Sequence, residues 1–235
     1  MFYKIDTQCN NDVVGHYYPQ LSTNYVNNYN PDSGKGIFRL IDDFGDFAIE
    51  FPDFTPNLSG FKLVRGAKLT DFISGTGLGN SLIMSNMAKN IFEKYTLCPH
   101  RFYHMPIHYK KEPQNYFMLH YLSNFSAYID YEKSTFIEED LIKKTRGNFI
   151  KINSLDDLLI KKKEVNKKYK GIGYYSAIGN EVTMNQEFSS MELDFFGILV
   201  ADTGTYVSER LKNTIEENGL TGLDFFPAPH LSLSD

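Results

Sequence analysis

Tyr206-Val207-Ser208-Glu209-Arg210-Leu211-Lys212-Asn213-Thr214-Ile215-Glu216-Glu217-Asn218-Gly219-Leu220-Thr221-Gly222-Leu223-Asp224-Phe225 reads as a helix with a marked start and a marked stop, followed by a strand. Ser208 is suited to cap the helix, because its hydroxyl accepts from a backbone N–H left free in the first turn. Glu209 sits where the helix dipole favours a negative charge. Val207, Leu211 and Ile215 recur every four residues as one apolar stripe. Asn218-Gly219 supplies a left-handed stop, after which Leu220 folds back on the last turn. A strand is expected over Leu223 to Phe226, ended by Pro227.

The same pattern occurs earlier. Met84 to Glu93 aligns without gaps on Val207 to Glu216, offset by 123 residues. Identities fall at Asp71/Asp194, Phe72/Phe195, Ser85/Ser208, Lys89/Lys212, Asn90/Asn213, Glu93/Glu216, Leu97/Leu220 and Phe102/Phe225, eight of the 32 positions from Asp71 to Phe102. Met84, Met87, Ala88, Ile91, Phe92 and Tyr95 give this first copy its own helical stripe. Two readings follow: an internal duplication, or two ordinary amphipathic helices that share a Ser cap.

The Ser-x-x-apolar-Lys helix and the Leu-x-x-x-x-Phe strand at mid-chain are followed by Tyr116-Phe117-Met118-Leu119 and then by the closing motif. Taken in this order they resemble a family of immunity proteins of bacterial polymorphic-toxin systems, long catalogued as a domain of unknown function. The resemblance runs over about residues 61 to 228, is most specific in the C-terminal motif, and leaves the first 60 residues uncovered. It implies a cytoplasmic protein that binds and neutralises a cognate toxin without catalysis of its own. It brings no catalytic, cofactor-binding or metal-binding residue to any position of this chain.

The composition belongs to a soluble globular protein. The 235 residues are 42% apolar and 23% charged, enough to bury a sizeable core in one large domain or two small ones. Sixteen Tyr and 19 Phe, with no Trp, suit half-buried sheet faces and interfaces alike. Met1 to Asp6 offers no apolar signal-like run, and the apolar stretch Phe195 to Ala201 is too short to cross a membrane. Cys9 and Cys98 are too few and too far apart for a disulfide framework, so reduced thiols in the cytoplasm are expected.

The formal net charge is −5 and it is unevenly spread. Lys143 to Lys170 holds ten basic and three acidic residues, a local +7, so by subtraction the rest of the chain carries −12. An acidic body suits a basic partner such as a nuclease toxin, and equally serves solubility. No binding to nucleic acid is expected from the chain as a whole.

Along the chain, Phe2 to Ile5 opens as a strand and Asn24 to Gly36 reads as a long loop. Ile37 to Leu40 and Phe47 to Phe51 are strand-like about the turn Asp42-Asp43-Phe44-Gly45, in an acidic, aromatic segment that also holds Asp46, Glu50 and Asp53. Phe61 to Val64 is a further strand. Ser74 to Gly79 alternates glycines, but no Gly-Lys-Ser/Thr follows and the dinucleotide spacing is wrong, so it reads as a connection.

Cys98, His100, His104 and His108 have zinc chemistry. Pro99 and Pro106 forbid a helix that would stack the histidines, and on a strand they span about 26 Å, too far for one ion. Tyr116 to Leu122 and Ala127 to Tyr131 read as paired strands. Asp130, Glu132, Glu138, Glu139 and Asp140 are carboxylates of the kind glycoside hydrolysis uses, with solvated acids the default expectation. Phe149 to Ile152 is strand-like, then Ser154 caps a helix with Leu155, Leu158, Leu159, Val165 and Tyr169 as its stripe. Its Lys161-Lys162-Lys163 cluster lacks an interleaved aromatic platform and reads as a solvated face. A hairpin turned at Gly179-Asn180 is expected next, then Leu193 to Val200 as the central strand of a sheet, and a frayed tail from His230 to Asp235.

The expected fold is α+β: mostly antiparallel sheets of short strands with about three principal helices, with internal duplication of the helix–strand unit as one of the two readings above. One domain is expected over residues 1–235, with 1–60 as a β-rich N-terminal part and 61–228 as the core. The expected function is non-enzymatic neutralisation of a toxin by occlusion, with no cofactor and no membrane. The alternatives are a metal-dependent hydrolase or nuclease built on the Cys98/His cluster, and a nucleic-acid module built on Lys143 to Lys170.

Overall fold

The computed structural model describes residues 1–235 apart from 17, 23–49, 76–79, 124, 199, 203 and 235. The loop expected at Asn24 to Gly36, the strand at Ile37 to Leu40 and most of that at Phe47 to Phe51 therefore lie outside the described residues, as does most of the glycine-rich connection. The chain is α+β. Among the described residues it forms four sheets, each of four short strands and mostly antiparallel, and five helices, three of them of seven residues or more.

In chain order the elements are β1 (Phe2–Thr7), α1 (Asn11–Val14), β2 (Leu21–Ser22), β3 (Phe61–Leu63), β4 (Phe72–Ile73), β5 (Ser81–Ser85), α2 (Asn86–Phe92), β6 (His100–His104), β7 (Ile107–Tyr109), β8 (Glu112–Gln114) and β9 (Tyr116–Tyr121). After a 3-10 turn at Phe125–Tyr128 come β10 (Thr135–Asp140), β11 (Arg146–Ile150), α3 (Leu155–Lys168), β12 (Tyr175–Met184), α4 (Gln186–Ser190), β13 (Phe195–Ile198), β14 (Gly204–Ser208), α5 (Glu209–Glu217), β15 (Leu223–Pro227) and β16 (Leu231–Leu233).

The repeat in the sequence is a repeat in the structure, and it is larger than the helix. One sheet runs β4-β5-β9-β6 and another β13-β14-β1-β15. Phe72 pairs with Met84 in the first, and Phe195 with Val207 in the second, the same offset of 123 at both positions. Ser85 lies opposite Tyr116 on β9, and Ser208 opposite Phe2 on β1. One of the two inner strands of the second sheet, β1, thus comes from the other end of the chain, where the first sheet uses β9. The other two sheets, β2-β3-β7-β8 and β11-β10-β12-β16, correspond in part. Each has one parallel pair, β3 with β7 and β12 with β16, and each adds an antiparallel strand beyond it, β2 and β10.

The shared residues have matching duties. Ser85 and Ser208 cap their helices, accepting from the N–H of Ala88 and Leu211, both at 3.2 Å. Each serine in turn donates its hydroxyl to the aspartate fourteen residues before it, Asp71 at 2.8 Å and Asp194 at 2.5 Å. The second oxygen of each aspartate accepts a backbone N–H from the other unit, Thr221 on Asp71 and Thr96 on Asp194, both at 3.0 Å. Asp194 is also gripped by both arms of Arg210. Lys89 lies over the rings of Phe102 and Phe117 and pairs with Glu93; Lys212 lies over Phe225 and Tyr3 and pairs with Glu216. Asn90 and Asn213 are exposed, and nothing in the structure explains their identity.

The helix stop is a Schellman motif: Gly219 has φ +66°, its N–H reaches Glu216 O, and the Leu220 N–H reaches Ile215 O. Beyond it, Gly222 has φ +102° and passes so close to β4 that a Cβ would sit 2.1 Å from the Phe72 carbonyl oxygen. The units also meet at Phe92, whose ring lies between Phe72 and Phe195, and at a hydrogen bond joining the hydroxyls of Tyr95 and Thr214. One large core spans both units. A second, around Leu58, Phe61, Met105, Ile107 and Met118, lies by the sheet that holds β3 and β7.

Several expectations are corrected. Met84 and Val207 end strands rather than begin helices, and Met87 is exposed, so the stripe of α2 is Ala88, Ile91 and Phe92. Ala127 to Tyr131 is not a strand; its first residues complete the 3-10 turn, and Ile129 makes an isolated bridge to Met184. The strand placed at Phe149 to Ile152 is Arg146–Ile150, as the hairpin tip holds it earlier in the chain. Gly179-Asn180 is no hairpin: β12 runs straight through, with a bulge where Thr135 faces Glu181 and Phe136 faces Gly179. The apolar β13 ends its sheet order rather than sitting centrally. It is buried because the segment leaving α2 covers it, Leu97 bridging Phe195 and the Cys98 N–H reaching the Phe195 carbonyl. The expected frayed tail forms β16 against β12.

Ser85→Ala and Ser208→Ala are each expected to lower stability by about 1 kcal/mol. Asp194→Ala should cost about 2 kcal/mol, since it removes the buried acceptor shared by Ser208, the Thr96 N–H and Arg210. Equilibrium urea denaturation reads all three.

Candidate functional site

The histidines singled out in the sequence do not converge. Cys98 is fully buried in the main core, where burial pushes its thiol up and keeps it protonated. His100 Nδ1 bonds the Cys98 carbonyl at 2.9 Å and His104 Nε2 bonds Asn115 at 2.8 Å, both within or beside β6. His108 lies past Pro106 on β7, in a different sheet. Among the described residues no three His, Cys, Asp or Glu side chains are placed to hold a metal ion.

The carboxylates depart furthest from expectation. Glu138, Glu139 and Asp140 are buried on β10 rather than solvated. Each is held by a specific partner. Both Glu138 oxygens accept from Lys168 Nζ at 2.9 Å, and Tyr169 donates its hydroxyl to one of them at 2.7 Å. Burial alone would raise the Glu138 carboxyl, but these bonds hold it below the usual carboxylate range. Asp140 Oδ1 accepts the backbone N–H groups of Ile142 and Lys143, closing the tip of the β10–β11 hairpin. Glu139 faces Lys144 Nζ at 3.8 Å. These acids bind the hairpin and the C-terminal end of α3 into one body, and Tyr169 stacks on Tyr175 of β12 to complete it.

That body carries the largest exposed apolar side chains of this part of the molecule. Phe149 on β11 is 73% exposed, Tyr174 71%, Ile172 69% and Ile142 67%. The hairpin tip and the segment before β12 are joined by the Leu141 N–H bonding the Tyr174 carbonyl, which brings Ile142 beside Tyr174. Two grooves adjoin β11. One of about 650 Å³ is lined by Tyr131, Thr135, Phe136, Phe149 and Ile150 among others; one of about 480 Å³ lies between Ile150 and Lys151 on one side and Lys161, Val165 and Lys168 of α3 on the other. Ile150 and Lys151 line both.

The surrounding charge is the lysine-rich stretch seen in the sequence. Lys161 and Lys168 are paired internally with Glu164 and Glu138. Lys162 is tucked in, its ammonium 3.4 Å from Ser176, and burial pulls its pKa down. Lys143, Lys151, Lys163, Lys167 and Lys170 are exposed with no ion pair among the described residues. The charge run was legible in the sequence. The apolar side chains among the lysines were not, because hydrophobicity alone assigns Phe149 and Ile172 to a core.

A second polar cluster had no sequence signal. Asp202 accepts from the Tyr206 hydroxyl and from His230 Nε2 at 2.9 Å, with Lys4 at 3.9 Å. Burial would raise its carboxyl, yet His230, Tyr206 and Lys4 together hold it low. The four residues come from β1, the segment before β14, β14 itself and the turn before β16, so only the folded chain assembles them.

Fold and surface define an α+β protein of two matched units with a basic hairpin that bears exposed apolar side chains. The chain belongs to the immunity protein family Imm11, whose family model matches residues 1–230. The match reaches the N-terminal 60 residues that the sequence resemblance left uncovered, in keeping with β1 lying inside the second sheet. No curated protein matches the chain.

Asp202 contributes stability above the ordinary carboxylate pKa of 3.8 and loses it as pH falls through the lower folded value. Thermal denaturation of Asp202→Asn is therefore expected to show a deficit at pH 7 that closes below about pH 4.

Proposed function

We propose that this chain protects a bacterial cell by binding a cognate polymorphic toxin in the cytoplasm and covering the surface through which it acts. The observation that carries this reading is the family match across almost the whole chain. The surface agrees with it. Exposed apolar side chains on the β10–β11 hairpin and on the segment before β12 suit a protein-binding face, whereas isolated ones need no explanation. No helix among the described residues is long and apolar enough to cross a membrane, which suits a partner met in solution. The rival reading, a metal-dependent hydrolase on Cys98 and the histidines, loses its geometric basis once β6 and β7 part company at Pro106.

Neutralisation by occlusion is stoichiometric, so protection requires at least as much of this protein as of the toxin. Co-expression with the product of the neighbouring gene is expected to restore growth and to yield a one-to-one complex. A neighbour that is toxic alone, yet neither rescued nor bound, would sink the pairing. His104→Ala combined with His108→Ala is expected to leave rescue intact, and loss of rescue in that variant with the fold preserved would revive the metal reading.

A further inference from the structure

β11 ends the order β11-β10-β12-β16, so one side of its backbone has no strand partner among the described residues. It is exposed from Arg146 through Phe149. Edge strands are commonly blunted by proline, by short length or by inward-pointing charge, because an open ladder recruits other chains. β11 has five residues, contains no proline and presents Phe149 outward; its ladder with β10 is regular at Phe149 and Ile150 and bulges between Phe149 and Arg146. The grooves beside it meet at Ile150 and Lys151 and run from Tyr131 and Phe136 to Val165 on α3. Of the acids that line this trough, Glu138 is paired with Lys168 and Glu164 with Lys161, and Glu132 stands at the far end of the larger groove. Lys151 lines both grooves, and on the same hairpin Lys143 and Arg146 have no ion pair among the described residues, while residues 141–155 hold no acid.

We propose that β11 receives an extended, acidic segment of a partner protein as an added strand. Backbone pairing along Arg146–Ile150 supplies affinity that is indifferent to sequence, and alternation of side chains supplies selectivity. Side chains on one face of the incoming strand enter the trough between β11 and α3, over Ile150 and Val165. Lys143, Arg146 and Lys151 on the hairpin favour carboxylates on that strand and steer its approach. A basic partner, which the acidic remainder of the chain suggests, would be repelled at this edge. The inference rests on the immunity reading only for the statement that the partner is the toxin; the edge and its charge preference are tested without it.

The probes are two peptides of about ten residues, one alternating Glu and Val and the other alternating Lys and Val. Hydrogen exchange of the full chain is followed with each. With the Glu/Val peptide, exchange of the β11 amides is expected to slow about tenfold, and with the Lys/Val peptide not at all. Phe149→Glu and Lys151→Glu, both on exposed side chains, should each weaken Glu/Val binding roughly tenfold, while Lys94→Glu beyond α2 leaves it unchanged. Unaltered β11 exchange, or equal effects of the two peptides, overturns the proposal. So does a dimer of this chain that Phe149→Glu dissolves, since the edge would then belong to a second copy. Protection of the same amides by a single-stranded oligonucleotide but not by the Glu/Val peptide also overturns it, in favour of nucleic acid. A negative peptide result leaves the co-expression result standing, and a failed rescue leaves a positive peptide result standing.

Discussion

Two carboxylates, Asp71 and Asp194, hold the architecture together. Each fixes the serine that starts a helix in its own unit and accepts a backbone N–H from the segment leaving the helix of the other. Asp194 is buried and Asp71 half-buried, and a carboxylate withdrawn from water is tolerated only when its oxygens are hydrogen-bonded, so the arrangement is strongly directional. Moving either helix by one residue would break a cap, and moving either unit would break a cross-bond. Lys89 and Lys212 add a second matched restraint, each ammonium set over two rings and tied to a glutamate one turn on. Most of the identities between the two halves of the sequence are therefore residues that define a cap, a junction or a strand–helix contact.

What could be read from the sequence was what neighbours within a few positions decide. Ser85, Ser154 and Ser208 as caps, Gly219 as a stop and the stripe Leu211–Ile215 all follow from local hydrogen bonding and period. What could not be read depends on partners far along the chain. Gly179-Asn180 has good turn chemistry, yet β10 on one side and β16 on the other keep β12 straight and turn the extra residue into a bulge. Phe195 to Ile198 is apolar enough for a central strand, and is buried instead by a helix exit segment that no local pattern reveals. Glu138 to Asp140 look like solvent-facing acids because their partners, Lys168, Tyr169 and the tip amides, come into place only on folding. The lysine-rich stretch was visible as charge, but its role as the rim of a groove beside β11 needed the hairpin and α3 in position.

Charge is divided in the same way as structure. The stretch from Lys143 to Lys170 carries a local +7 on an otherwise acidic molecule, and such a field orients an approaching partner before contact. The apolar side chains Ile142, Phe149, Ile172 and Tyr174 stand within that field. Orientation and desolvation then act at one place. Raised ionic strength would weaken the first and leave the second.

The position of β1 has a kinetic and mechanical consequence. It is flanked on both sides by strands from the far end of the chain, so the second sheet cannot close until nearly the whole sequence is available, whereas β4, β5, β6 and β9 need only a local stretch. Contacts of such long range form slowly, so closure of the second sheet is expected to lag that of the first. A force applied at the N-terminal residues would be borne by two antiparallel ladders loaded in shear inside a sheet. The end of the chain that looks most peripheral in the sequence is the one through which the second unit would be hardest to pull apart.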